Sequence, residues 1–153
     1  MLVYRLANRK YSTDLTGTGA ALAGGRWNTK GRAVVYSSES IALSLLEVIV
    51  NLPPMMQPLM NLMTLEIPDQ FIFNLPEDQL PPNWFKYPYP NSLAKIAEKY
   101  YQDEKILALK VPSAIIHSNF NFLINPNSRN IDNLKLLATE PFVFDPRVYR
   151  QAT

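Results

Sequence analysis

The sequence predicts an α+β fold. Three observations carry this expectation. Short segments alternate apolar and polar residues, two segments show helical periodicity set apart from each other, and thirteen prolines against five glycines cut the chain into short elements.

Residues 2–6 alternate as a strand, with Val3 and Arg5 on one face and Leu2, Tyr4 and Leu6 on the other. Residues 14–25 read as a loop with a short helical turn. Residues 33–37 form a brief strand carrying Tyr36. Ser38 is placed to cap a helix over residues 39–51, with Glu39 near its positive end. Ala42, Leu45, Leu46 and Ile49 supply its apolar stripe, Glu47 lies beside that stripe, and Asn51-Leu-Pro-Pro stops the helix. Strands are expected at Leu62–Ile67 and Gln70–Asn74. Met55, Met56, Met60 and Met63 are suited to filling gaps in a core. Residues 80–90 must be an extended, aromatic-rich connection, either packed over the core by its own rings or serving as a lid or partner-binding face. A second helix is expected over 92–102, with Leu93, Ile96, Ala97 and Tyr100 inward and Lys95, Glu98 and Lys99 outward. Residues 106–111 look like a strand buried on both faces and ended by Pro112. Phe120–Ile124 and Pro141–Phe144 complete the strands.

A length of 153 residues suits one domain spanning 1–153, in which about 70% of the unfolded surface can be buried. The absence of cysteine excludes disulfides, cysteine nucleophiles and thiolate metal sites. With a single histidine, His117, no multi-histidine metal site is available, and no metal is expected. A net charge of +2 is too small to argue for direct nucleic-acid binding. Arg5, Arg9 and Lys10 interrupt any apolar leader, and no apolar run approaches the roughly 20 residues of a membrane span, so a cytoplasmic protein is expected. No P-loop, dinucleotide fingerprint or metal motif occurs.

The groups able to do chemistry concentrate early. Gly24 and Gly25 permit a tight bend and a close approach to a ligand, and Arg26 offers a planar fork for two phosphate oxygens. Alternatively, Arg26 is a surface arginine stacked on Trp27. Glu47 either pairs with Arg26 or Arg5, meets solvent, or hydrogen-bonds a ribose hydroxyl. Tyr36 could stack on a heterocycle or donate its hydroxyl, or be an ordinary core aromatic. Ser113 follows a buried strand, where pocket residues and turn residues both occur. Asn121, Asn125 and Ser128 form a polar group around Pro126 that would ordinarily satisfy a turn.

Read in order, the motifs resemble the RES-domain family, named for an arginine, a glutamate and a serine. They are Val3-Tyr-Arg5, Leu15-Thr-Gly-Thr-Gly-Ala20, Gly24-Gly-Arg-Trp-Asn28 with Gly31, Val35-Tyr-Ser37, and Ala42 with Leu46-Glu47-Val48. Then come Leu80-Pro-Pro-Asn-Trp84, Leu107-Ala-Leu-Lys-Val-Pro-Ser113, Asn121 with Asn125-Pro126, and Phe144-Asp-Pro-Arg147. The resemblance implies an ADP-ribosyltransferase-like split mixed sheet around a NAD-binding cleft. It also implies a toxin that breaks the nicotinamide–ribose bond of NAD⁺. It carries the named trio onto Arg26, Glu47 and Ser113, with Tyr36 beside them, and places Trp27, Arg5, Asn125 and Ser128 around the substrate. Many relatives continue Asn-Pro with His-Pro-Asp, whereas Asn127-Ser-Arg-Asn130 follows here, so no role of that histidine transfers. Ser128 could supply a hydroxyl in its place. The implied partner is an Xre-type antitoxin whose segment blocks the cleft and which carries any DNA binding. Water, phosphate or a protein side chain could accept the ADP-ribosyl group. The rival class is a non-catalytic partner- or nucleic-acid-binding module built on the aromatics around Lys86.

Overall fold

The computed structural model describes residues 1–52 and 59–149, so Met55, Met56 and the prolines at 53–58 lie outside the described residues. Seven strands form one sheet: β1 (Leu2–Asn8), β2 (Val35–Ser38), β3 (Met60–Glu66), β4 (Ile72–Asn74), β5 (Ala108–Pro112), β6 (Phe120–Ile124) and β7 (Lys135–Phe142). Their order is β4-β5-β6-β2-β1-β3-β7, with β4 and β5 parallel and all other neighbours antiparallel. Three helices, α1 (Thr18–Ala23), α2 (Ile41–Ile49) and α3 (Ser92–Tyr101), complete the expected α+β architecture. No helix among the described residues is long and apolar enough to cross a membrane.

The sheet is split. β1 and β3 stay in register from Leu2↔Glu66 to Asn8↔Met60, whereas β1 and β2 pair at Tyr4↔Ser38 alone. Backbone groups released by the divergence still need partners. Arg5 Nη1 donates to the Tyr36 carbonyl at 2.9 Å, and the Ser44 hydroxyl accepts from the Leu6 amide at 3.1 Å. Side chains thus take over where the ladder stops.

Apolar clusters hold the sheet on both sides of the split. Val3 and Ala7 pack with Met63, Leu65, Ile67, Phe122 and Ile124, while Leu6, Met60 and Leu62 gather Tyr4, Leu45 and Val48 of α2. The alternation of β1 and the core placement of Met60 and Met63 are therefore as expected. A third cluster joins Trp27, Leu109, Val111 and Leu123 to Leu93, Ala97 and Tyr101 of α3. Glu98, placed outward by the helical pattern, is half-buried. Arg32 clamps it with Nε to Oε1 at 2.9 Å and Nη2 to Oε2 at 2.6 Å.

Helix α2 departs from the sequence reading in a way that matters for the site. Ser38 stays in β2 because it pairs with Asn121 of β6, so the cap falls to Ser40, whose hydroxyl accepts from the Leu43 amide at 3.1 Å. The buried face is Leu43 and Ser44, and Ala42 is exposed. Ser44 occupies an inward position because it satisfies Leu6. Glu47 lies four and three residues beyond Leu43 and Ser44, hence on the buried face itself rather than beside it.

Strand β7 starts at Lys135, well before the expected Pro141, and pairs antiparallel with β3 through an irregularity between Thr64 and Leu65. Its side chains are largely exposed on a sheet edge, which removes the apolar alternation that would have marked it. An edge strand also tolerates Pro141. β4 is shorter than expected because residues 69–71 form a 3₁₀ turn.

Because the cap is Ser40, Ser40→Ala should lower stability by about 1 kcal/mol. Urea unfolding measures it, and an unchanged midpoint would contradict the assignment.

Candidate active site

A cavity of about 680 Å³ opens beside the split, lined by Gly25, Arg26, Trp27, Tyr36, Glu47 and Asn121, with Phe85, Tyr87 and Tyr89 among its other walls. A smaller cavity of about 320 Å³ continues beneath it, lined by Arg5, Ser38 and Ser44 and sharing Tyr36, Glu47, Asn51 and Asn121 with the first. The two form one cleft along the line where β1 leaves β2.

The Arg26 turn is built from below. Gly24 has φ +72°, a conformation that side chains with a Cβ resist. A Cβ on Gly25 would lie 2.8 Å from the Tyr36 hydroxyl and 2.9 Å from Asn28 Oδ1, so close approach excludes any larger residue. Buried Asn28 donates to the carbonyls of Ala20 at 2.8 Å and Arg32 at 3.1 Å, and its Oδ1 accepts from the Tyr36 hydroxyl. That hydroxyl also accepts from the Trp27 amide at 3.3 Å. Tyr36 is therefore committed at its polar end and offers the cleft its ring. Burial holds its phenol above the ordinary range.

Arg26 does not stack on Trp27, which is buried in the α3 cluster. Its Nη1 donates to the carbonyls of Trp84 at 2.8 Å and Lys86 at 3.0 Å, and the guanidinium sits over Tyr89 at 5.4 Å. The aromatic connection packs over the core through Leu80 and Trp84, as expected, and its Phe85, Tyr87 and Tyr89 also wall the cleft. Trp84 and Phe85 also flank exposed His117, at 5.0 and 4.8 Å between ring centroids. Partial burial lowers the Arg26 pKa, opposed first by the charge of Glu47. Among the described residues, neither Nε nor Nη2 of Arg26 donates a hydrogen bond. A partly dehydrated cation with free donors at a cavity wall is suited to an anion.

Glu47 pairs with neither arginine. Its Oε1 accepts from Ser113 Oγ at 2.9 Å and from Asn121 Nδ2 at 2.7 Å. Ser113, fully buried, also accepts from the amides of Ile115 at 3.1 Å and Ile116 at 3.3 Å. The turn reading of Ser113 holds; the same hydroxyl donates to Glu47, while Ser113 itself lines neither cavity. Among the described residues no hydrogen bond reaches Oε2.

Arg5 joins this set through the smaller cavity, with burial lowering its pKa and its buried Nε lacking a hydrogen-bond partner among the described residues. Asn125 and Ser128 do not join. Asn125 binds the Tyr101 carbonyl at 3.0 Å and the Asn127 amide at 3.0 Å, and Ser128 binds the Glu104 carbonyl at 2.9 Å and the Asn130 amide at 3.1 Å. They satisfy the turn after β6, and neither lines the cleft. Asn121 is the residue that sequence reasoning misplaced. Grouped with a turn, it is in fact a buried polar position inside an otherwise apolar strand, which was the available signal. Among the described residues, no group of three or more His, Asp or Glu side chains could hold a metal ion.

The family model for the RES domain matches residues 2–145. The chain belongs to the RES-domain family. It is 34% identical over 152 residues to "Toxin Res" of Yersinia enterocolitica, covering 97% of this chain and 99% of that protein. A "Prs ADP-ribosylating toxin" of Sphingobium is 34% identical over 143 residues, with coverage of 91% and 89%. Among solved structures, a chain of the M. tuberculosis MbcT–MbcA toxin–antitoxin complex superposes with a TM-score of 0.72 at 18% identity, over 97% of this chain and 86% of that one. This RES domain and that chain share a fold.

Gly25→Ala should destabilise the protein by about 1–3 kcal/mol through overpacking against Tyr36 and Asn28. Combined with Tyr36→Phe the loss should be smaller than the sum of the two, since one clashing atom is gone. Full additivity in urea unfolding would refute the contact. Tyr36 and Tyr101 are both held above the ordinary phenol pKa of 10.0 by burial. Above about pH 10 the unfolded chain therefore binds fewer protons than the folded one, and stability falls as pH rises. The share of phenolate absorbance lost in Tyr36→Phe and Tyr101→Phe variants should then appear together with unfolding rather than before it.

Proposed function

We propose that the cleft binds NAD⁺ and breaks its nicotinamide–ribose bond, and that the protein is the toxin of a toxin–antitoxin pair. The observation that carries this reading is that Arg26 and Glu47 line the same cavity. Its volume lies within the range typical of small-molecule sites. An anion-binding guanidinium beside a carboxylate free at one oxygen fits a ligand with a diphosphate and a ribose.

In this reading Arg26 grips the diphosphate through Nε and Nη2 while Nη1 holds the aromatic wall. Arg5 adds positive charge from the adjoining cavity. The ring of Tyr36 stacks against nicotinamide or its ribose, and Trp27 backs the turn. Glu47 accepts a hydrogen bond from the ribose 2′-hydroxyl through Oε2, and Ser113 orients the acid. As the C–N bond breaks, its electron pair leaves with nicotinamide, which departs neutral, and positive charge develops on the ribosyl ring. The Glu47 carboxylate stabilises that charge more strongly than the ground state, which is differential binding. In sugar transfer such 2-hydroxyl contacts supply several kcal/mol. The acceptor that closes the reaction is water or inorganic phosphate, and depletion of NAD⁺ arrests growth.

A protein acceptor is the second reading, favoured by the printed name of the Sphingobium relative. It shares every step up to departure of nicotinamide. A non-catalytic module gives no account of a carboxylate oriented by two buried donors inside a cleft. The expected partner is an antitoxin, consistent with the solved neighbour being a toxin–antitoxin complex. An Xre-type protein carrying the DNA contacts and acting in the cytoplasm is the form the resemblance supports.

Glu47→Gln should cut kcat on NAD⁺ by about 10²- to 10³-fold while weakening NAD⁺ binding little. Comparable losses in both would count against the role. Incubation with NAD⁺, with and without phosphate, separates the acceptors by product mass: ADP-ribose, its 1″-phosphate, or a modified protein. Expression in bacteria without an antitoxin should lower cellular NAD⁺ and stop growth; normal growth with unchanged NAD⁺ at high levels of folded protein would refute the proposal.

A further inference from the structure

Helix α2 carries Glu47, but two strands of the sheet and the turn after β5 aim it. Reading outward from Oε1, Asn121 Nδ2 donates at 2.7 Å, and Asn121 Oδ1 accepts from Ser38 Oγ at 2.7 Å. On the other side Ser113 Oγ donates at 2.9 Å. Ser38 is 3%, Asn121 9% and Ser113 0% exposed, so solvent offers these groups little alternative.

The chain has a direction. An ionised carboxylate only accepts, so the amide must present its nitrogen to Glu47. An asparagine alone could turn over and present its oxygen instead. The acid-facing orientation is the one in which both ends of the amide are paired, because the Ser38 hydroxyl gives its proton to Oδ1. Ser38 and Asn121 are direct cross-strand partners on β2 and β6, so their side chains share one face of the sheet. Ser38 is also the residue through which β2 meets β1, at Tyr4, the point where the sheet splits. The hydroxyl is thereby anchored where β1, β2 and β6 pair side by side.

We propose that Asn121 and Ser38 are positioning residues for Glu47. Ser38 anchors the far end of the amide, the amide and Ser113 hold Oε1, and Oε2 is left turned to the ligand. The functional part rests on the reading of Glu47 as the acid of NAD⁺ cleavage. A misdirected carboxylate loses the transition-state contact while leaving the diphosphate grip of Arg26 untouched.

The test measures kcat on NAD⁺, and the Kd of a carbocyclic NAD⁺ analogue whose nicotinamide bond cannot cleave, in the full chain. Asn121→Ala should lower kcat by about 100-fold with analogue binding changed less than about threefold. Ser38→Ala should lose about tenfold in kcat in the same pattern, and Ser38→Thr, which keeps the hydroxyl, should recover most of it. Parallel losses in kcat and binding, or near wild-type kcat in Asn121→Ala, would overturn the proposal. A crystal structure of Ser38→Ala gives a readout independent of turnover and of the Asn121 variant's folding. It should show the Asn121–Glu47 contact broken or the amide reversed. An intact contact there overturns the positioning claim even if NAD⁺ is cleaved. A wild-type chain inert toward NAD⁺, with that contact broken in the variant, refutes the reaction and leaves the positioning claim standing.

Discussion

Between β1 and β2 the backbone ladder stops after Tyr4↔Ser38, and the cleft exists because of that stop. A continued ladder would have zipped the strands together across the space that the cavities occupy. The groups it abandons are met by side chains instead, Arg5 on the Tyr36 carbonyl and Ser44 on the Leu6 amide. Each substitution serves two ends: it satisfies buried backbone, and it draws a functional element to the gap. Arg5 is pulled under the cleft, and α2 is docked so that Glu47 faces inward.

The same economy governs the opposite wall. Among the described residues Arg26 has no carboxylate partner, yet it is held by the carbonyls of Trp84 and Lys86 through one nitrogen. Those bonds fix both the arginine and the aromatic segment, so a long flexible side chain loses its freedom before any ligand arrives. Preorganisation of this kind lowers what binding must otherwise spend on ordering. Carbonyl dipoles do not neutralise the guanidinium, so its charge remains available for an anion. Gly25 completes the wall by letting the turn rest directly on Tyr36 and Asn28.

Much of this was legible in the residues. Gly24, Gly25, Arg26, Tyr36 and Glu47 stand out because glycine pairs, isolated arginines and acids on apolar helices are uncommon without a reason. The alternation of β1, the periodicity of α3 and the apolar run of β5 marked their elements, since burial on one face or both imprints a period on the sequence. β7 escaped because an exposed edge strand carries little such imprint. The cap falls on Ser40 rather than the expected Ser38 because either serine can cap, and pairing with β6 keeps Ser38 in the sheet.

Which residues share a site was a different matter. Asn121, Asn125 and Ser128 are near neighbours in the chain, yet Asn121 faces Glu47 while the other two close a turn. Strand geometry explains it: β6 carries Asn121 within the sheet, and the chain leaves the sheet after Ile124. By itself the sequence determined the fold class, the bend at Arg26 and the helix bearing the acid, because local propensity and burial period act within a few residues, and its motifs carried the resemblance to the family. Only the tertiary structure decided that Ser113 and Asn121 converge on one oxygen of Glu47, since that contact joins segments 66 and 74 residues apart through strand pairing.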